Sequence, residues 1–253
     1  MCQNNLSGNL PTTFINGSSL RSLNLYGNKL EGKIPRSLAN CKELQVLDLG
    51  DNHLIVTFPM WLGSLPELQV LSLISNELYG SIQPSIHEYI DPSIEAPSYC
   101  GAIYHQDSIT VSTKGLEHEI LTISYLYTVI DLSSNKFRGK IPSIMRDFIA
   151  LHILSLSHNG LKGHIPPSFR DLSSVSSLDL LGNQLTGDIP QQLVSLTSLS
   201  FLNLSLNHLR GCIPQGPQSH TFENNSYEGN DGLHGFLVSK SRDDDRPLDL
   251  CID

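Results

Sequence analysis

The chain has 253 residues, and 16 Lys and Arg against 25 Asp and Glu give a formal net charge of −9 at pH 7. An acidic balance with no basic block excludes a phosphate-backbone partner, because counterion release needs clustered cations, so no nucleic-acid partner is expected. Leucine supplies 41 of the 253 residues, a density that favours a built core over disorder.

No apolar run reaches the roughly 18 residues that a membrane-spanning helix needs, so no membrane insertion by the chain itself is expected. The opening Met1-Cys2-Gln3-Asn4-Asn5 lacks the charged and apolar regions of a signal peptide, and none is read there.

Residues 1–83 repeat. The pattern L-x-x-L-x-L-x-x-N-x-L-x-G-x-I-P is filled by Leu20, Leu23, Leu25, Asn28, Leu30, Gly32, Ile34 and Pro35. Its asparagines fall at 4, 28, 52 and 76, a constant step of 24. That period with that motif predicts a leucine-rich-repeat solenoid, an α/β fold in which each L-x-L is a short strand of one parallel sheet. The leucines point inward and the residues between them outward. Each Asn closes its strand and satisfies backbone groups of the turn, Gly permits the bend after it, and Pro fixes the extended segment beyond. Val56 stands where one repeat should have Gly, which predicts a locally different turn.

Residues 84–127 break the array. The next ladder asparagine is Asn135, and 135 − 76 = 59, which is one period of 24 plus 35. The alternation of Ile109 and Val111, the Lys114-Gly115 turn signal and the stretch Ile120 to Leu126 predict a strand, a turn, then a strand or short helix. An insertion this long inside a strict array is usually functional or disordered. The array then resumes over residues 128–214 with asparagines at 135, 159, 183 and 207. Its strands are expected to join the earlier ones in a single sheet.

The 24-residue L-x-G-x-I-P repeat resembles the plant extracellular leucine-rich-repeat class, which implies a right-handed solenoid with a second short strand in each repeat. The insertion narrows this: Tyr104-His105-Gln106-Asp107-Ser108-Ile109-Thr110-Val111-Ser112-Thr113-Lys114-Gly115-Leu116-Glu117 is similar to the island of plant receptor-like proteins. Residues 215–253 fit as well. Gln215-Gly216 and Thr221-Phe222-Glu223-Asn224-Asn225-Ser226-Tyr227-Glu228-Gly229-Asn230 look like that family's C-terminal cap. The family continues with G-L-C-G, whereas this chain has Gly232-Leu233-His234-Gly235, so the cap is expected to lack its disulfide and be weak.

Family members carry a signal peptide, an N-terminal cap and more repeats before this region, and an acidic stretch and a membrane helix after it. The chain therefore reads as the C-terminal part of a truncated ectodomain. The resemblance implies that the chain perceives an extracellular peptide, protein or glycan at the plasma membrane. It further implies a leucine-rich-repeat receptor kinase as co-receptor or adaptor and a role in plant defence. Two other readings stand beside it: a secreted inhibitor of a cell-wall-degrading enzyme such as a polygalacturonase, and a truncated product without function.

Chemistry-bearing motifs are absent. No C-x-x-C, H-E-x-x-H, G-x-S-x-G or phosphate-binding glycine loop occurs, and the ten histidines lack metal-ligand spacing. No enzyme, metal site or cofactor is expected. Five cysteines cannot all pair within one chain. Cys41 reads as a buried thiol, Cys100 and Cys251 are the freest to form bridges, and no connectivity follows from sequence.

The candidate ligand-binding residues are the outward positions Arg21, Asn24, Tyr26, Gln45, Asp48, Gln69 and Ser72, with Tyr104, His105, Gln106, Asp107 and Lys114 of the insertion. Small polar positions after the insertion, namely Asp131, Ser155, Ser157, Asp179 and Ser200, are the candidate co-receptor contacts. Sequons place glycosylation candidates at Asn5, Asn16, Asn203 and Asn224.

Overall fold

The computed structural model describes residues 1–82, 128–143, 151–216 and 221–235, together with the backbone of 109–113 and 116–120. Alternating L-x-L segments form seven strands: Ser22–Asn24, Val46–Asp48, Val70–Ser72, Thr128–Asp131, Leu151–Ser155, Ser177–Asp179 and Phe201–Asn203. All seven are parallel and hydrogen-bonded in one sheet, in chain order. The sheet runs straight across the insertion, because Val70, Leu71 and Ser72 pair with Val129, Ile130 and Asp131 in the same register as their neighbours.

A second layer of short strands follows the asparagines. Lys29–Gly32, Lys136–Gly139, Gly160–Gly163, Gln184–Gly187 and His208–Cys212 each pair in parallel with the equivalent strand of an adjoining repeat. At Pro35, Pro59, Pro166 and Pro190 the extended segment ends and a 3-10 turn begins: Arg36–Asn40, Met60–Ser64, Pro167–Asp171 and Gln191–Ser195. These turns bury Leu38, Leu62, Phe169 and Leu193 against a single apolar core that runs the length of the stack.

The Val56 departure has the expected local effect. Gly32 and Gly80 take left-handed backbone angles, φ +77° and φ +82°, which a β-branched residue rarely adopts. In the repeat between them the strand is cut to His53–Leu54, and an isolated bridge joins Thr57 to Tyr79. The solenoid is bent in detail there and not broken.

Asparagine rungs tie repeat to repeat. Asn52 Nδ2 donates to the carbonyls of Leu49 and Gly50 in its own turn and to Leu25 of the repeat before, at 2.9–3.0 Å. Its Oδ1 accepts from the Leu30 amide at 3.0 Å. Asn135 makes the same set across the insertion, donating to Leu132, Ser133 and Leu73 and accepting from Leu78. The rung from Asn76 spans 22 and 27 residues, and that from Asn135 spans 57 and 62, each larger by 35. The solenoid closes as though the 35 extra residues were absent. An ion pair, Lys136 Nζ to Glu77 Oε2 at 2.7 Å, bridges the same joint on the surface.

Two further findings revise the sequence reading. The insertion contains an antiparallel hairpin, Ile109–Thr113 with Leu116–Ile120, and Thr113 pairs with Leu116. The second strand therefore starts at Leu116 and not at Ile120, because a two-residue connection places its partner immediately after it. The C-terminal end is also better closed than expected. The 3-10 turn Asn224–Tyr227 supplies acceptors to the sheet edge, Leu204 N to Ser226 O and Leu206 N to Glu228 O, both 2.7 Å. The strand Gly232–His234 covers His208–Cys212 in the second layer. Cys41 is a buried free thiol and Cys2 an exposed one, while Cys212, beside His234 at 3.4 Å, is disulfide-bonded. A disulfide is thus present at this end although position 234 holds His.

Candidate functional site

The outward face of the seven-stranded sheet carries two register-matched rows. One runs Ser22, Val46, Val70, Val129, Ile153, Ser177, Phe201. The other runs Asn24, Asp48, Ser72, Asp131, Ser155, Asp179, Asn203. Strand alternation turns both rows away from the leucine core.

The first row reveals what sequence reasoning missed. Val46, Val70, Val129 and Ile153 are buried, yet none belongs to the contiguous core of the stack. The face is closed over its five middle strands and half-open at its ends, where Ser22 and Phe201 are partly exposed. An apolar run at alternate positions was the available signal, masked because Val and Ile also read as ordinary strand formers.

The second row holds six of the predicted contacts, and its environment differs from the open polar face expected. Asp48, Ser72, Asp131, Ser155 and Asp179 are buried, as is Ser157 two residues along, while Asn24 is half-buried. Five residues of the row build Asx turns. The Oδ1 atoms of Asn24, Asp48, Asp131, Asp179 and Asn203 accept the amides of Tyr26, Gly50, Ser133, Leu181 and Ser205, at 3.0–3.1 Å. These side chains shape the strand-to-turn exit before any ligand is considered. Hydroxyls extend the pattern: Ser133 Oγ lies 2.6 Å from Asp131 Oδ1, Ser205 Oγ lies 2.7 Å from Asn203 Oδ1, and Ser155 Oγ lies 3.3 Å from Ser157 Oγ.

Burial also moves the carboxyls. Loss of hydration raises Asp48 from the ordinary 3.8 to about 6, partly opposed by the Gly50 amide and by Ser72, with the Asp131 charge raising it further. Asp179 is raised for the same first reason, opposed by the Leu181 amide and Ser157.

The remaining candidates divide by exposure. Arg21 and Ser200 are exposed, and Tyr26, Gln45 and Gln69 are half-buried, which leaves an accessible strip along the sheet margin. Arg21 Nε is held 3.2 Å from Glu43 Oε2. Tyr104, His105, Gln106, Asp107 and Lys114 lie outside the described residues. Asn5, Asn16 and Asn224 are exposed, whereas Asn203 is half-buried with Oδ1 engaged by Ser205. Among the described residues no group of three or more His, Cys, Asp or Glu side chains could hold a metal ion, and no helix is long and apolar enough to cross a membrane.

Comparison with known proteins places this architecture. Leucine-rich-repeat family models match residues 1–54, 128–148 and 149–209, together more than half of the chain. The receptor-like protein Cf-9 of Solanum pimpinellifolium is 66% identical over 154 residues, 60% of this chain and 18% of its own length. Matches to other receptor-like proteins, from Arabidopsis thaliana, cover 6% of the relative's length, so the chain spans only a small part of the curated relatives. The Arabidopsis receptor kinase HAESA, solved with the peptide hormone IDA and the co-receptor SERK1, superposes with a TM-score of 0.70 at 29% identity. That match covers 94% of this chain and 34% of HAESA. The plant peptide hormone receptor RGFR1, solved with RGF2, gives a TM-score of 0.68 at 31% identity over 91% of this chain and 31% of its own. By repeat, fold and sequence, the chain belongs to the leucine-rich-repeat family and, within it, to the plant receptor-like proteins.

Proposed function

We propose that this chain is the ligand-perceiving part of a plant cell-surface receptor-like protein, with its site on the outward sheet face and the insertion. The observation that carries the reading is the unbroken rung pattern across the insertion. A scaffold that closes without residues 84–127 does not require them for stacking, and long extra loops on rigid solenoids usually serve binding. The insertion leaves and rejoins the stack between Val70–Ser72 and Thr128–Asp131, beside the closed middle of the sheet face.

In this reading an extracellular peptide, protein or glycan meets Arg21, Asn24, Tyr26, Gln45 and Gln69 along the open strip, and Tyr104, His105, Gln106, Asp107 and Lys114 supply selectivity. The buried Asp48 and Ser72 hold the surface beneath. The co-receptor, a leucine-rich-repeat receptor kinase, approaches the last repeats at Ser200, with Asp131, Ser155, Ser157 and Asp179 acting from below as framework. The solved complexes of HAESA with a peptide and SERK1, and of RGFR1 with RGF2, support this division of labour. The site operates on the extracellular side of the plasma membrane, in defence, and Asn5, Asn16, Asn203 and Asn224 are its glycosylation candidates.

The test is a graft. Residues 84–127 are moved into an intact receptor-like protein of the same family, and the ligand that triggers the response is identified. A change in ligand choice is expected. Unchanged choice with a folded graft at the cell surface contradicts the assignment of selectivity to the insertion.

A further inference from the structure

On the second layer, strand alternation turns Lys136, Arg138 and Lys140 to solvent while Phe137 enters the core. Lys162 is exposed on the same side in the next repeat. In sequence these cations form no run, because apolar residues and glycines separate them. Parallel pairing of Lys136 with Tyr79, of Arg138 with Gly160 and of Lys162 with Gln184 gathers them on neighbouring strands, which lie ~4.8 Å apart. Tyr79 borders the patch and is 48% exposed.

Two glycines seat the cations. Arg138 Cγ lies 3.4 Å from where a Cβ at Gly160 would stand, and Lys140 Cγ, Cδ and Cε lie 3.2–3.7 Å from where one at Gly163 would stand. The two stems therefore rest across the next repeat, and part of the rotamer freedom that binding has to remove is already gone. Their heads stay available. Among the described residues Arg138, Lys140 and Lys162 enter no ion pair, whereas Lys136 is held by Glu77 at 2.7 Å. Three uncompensated cations thus stand together on a chain whose net charge is −9.

The shape of the patch selects among anions. Its cations are spread along an open sheet face, which suits a chain laid across the strands better than a small ion that needs enclosing. A broad anionic plane such as a lipid surface would also meet Glu31 and Asp188, both exposed on this layer, while a thin chain needs only the patch. Tyr79 adds an apolar ring face with a polar tip, which matches the ring of a sugar.

We propose that Tyr79, Arg138, Lys140 and Lys162 form a docking surface for a linear acidic polysaccharide. Its uronate carboxylates meet the three cations and a sugar ring stacks on Tyr79. The surface lies on the second layer and does not depend on the sheet-face reading above.

The full chain is titrated calorimetrically, at ~50 mM salt to limit screening, with a galacturonate oligomer, the same oligomer fully methyl-esterified, and a poly-glutamate of equal charge. The free acid is expected to bind, and the ester, which keeps the sugar rings and loses the charges, to bind at least about tenfold more weakly. The combined Arg138→Gln, Lys140→Gln and Lys162→Gln variant and the Tyr79→Ser variant should each weaken the free acid at least about fivefold. A control, Lys29→Gln with Lys33→Gln, removes two exposed cations of this layer outside the patch and should leave binding unchanged. No binding of the free acid, equal binding of the ester, or unchanged affinity in the triple variant overturns the proposal. Poly-glutamate binding as tightly as the oligomer points to an acidic peptide instead and overturns the saccharide assignment. The ester comparison uses the parent chain alone and decides should a variant not fold.

Discussion

From Asn28 to Asn207, each buried asparagine of the ladder is a four-bond hub, and its energetic weight comes from what its removal strands. In Asn52 the carboxamide serves one amide and three carbonyls, all inside the stack. Truncation to Ala leaves the Leu30 amide enclosed without its partner, at about 1–3 kcal/mol, while the carbonyls of Leu25, Leu49 and Gly50 each lose one bond and keep those from Asn28 Nδ2, Asn76 Nδ2 and the Gly27 amide. We expect Asn52→Ala to lose about 2–3 kcal/mol in urea unfolding, with the rung's two repeats loosened together. Asn159 makes the same bonds but is half-buried. Water can reach part of its site, so Asn159→Ala should cost measurably less.

At this scale the sequence was legible for residues that recur and opaque for those that meet only in space. Leu47, Leu49 and Asn52 could be placed from the motif, and their positions in core and rung agree with it. Asp48 could be assigned to the outward row but not to an enclosed environment. Its burial depends on what lies over the sheet, and its Asx turn depends on a backbone amide that any residue supplies. A single sequence carries neither signal.

The C-terminal element shows how a repeat ends. Asn230 makes the last rung, donating to Leu204 and Tyr227 and accepting from Leu209, although 230 − 207 gives a step of 23 instead of 24. The shortened period and the replacement of leucine by Tyr227 concealed this rung in the sequence. Tyr227 is buried, its hydroxyl has no partner, and burial pushes its pKa up to about 12. Tyr227→Phe should therefore be neutral or stabilise the chain by up to about 1 kcal/mol, read as a raised melting temperature. Gly229 should behave oppositely. Its φ is +72°, and an added Cβ would lie 2.6 Å from Leu206 Cδ2 and 3.3 Å from the Leu206 backbone. We expect Gly229→Ala to cost about 1–3 kcal/mol, combining left-handed strain with a contact that the backbone cannot relieve. A closed end of this kind was not anticipated from the loss of cysteine at position 234. The rung and the edge acceptors at Ser226 and Glu228 close the stack without a cysteine at position 234.

Over the whole molecule, the decisive feature is that two blocks of repeats behave as one stack despite the chain between them. Solenoids are stabilised by nearest-neighbour contacts, so an insertion is tolerated wherever the flanking repeats still meet. The constant period of 24 on both sides made that continuity readable, as it did the family. The closed middle of the outward face was not readable, since pairing across the insertion juxtaposes Val70 with Val129 and Ser72 with Asp131 at a separation of 59 residues. The proposed function follows the same division. The stack provides rigidity, and the segment that the stack does not need is free to carry selectivity.

The most direct test of that continuity is amide hydrogen exchange, resolved by residue, at the joint between the blocks. Leu73 N donates to Asp131 O at 2.9 Å, Ser75 N to Ser133 O at 3.0 Å, and Lys136 N to Leu78 O at 2.7 Å. The equivalent amides inside the first block are Leu49 N to Ser72 O and Asp51 N to Ile74 O. Cooperative stacking predicts that the joint amides are protected to within about tenfold of those inside the block. Exchange at Leu73, Ser75 and Lys136 faster by about a thousandfold or more, with Leu49 and Asp51 still protected, would mean two separate blocks and would contradict the account.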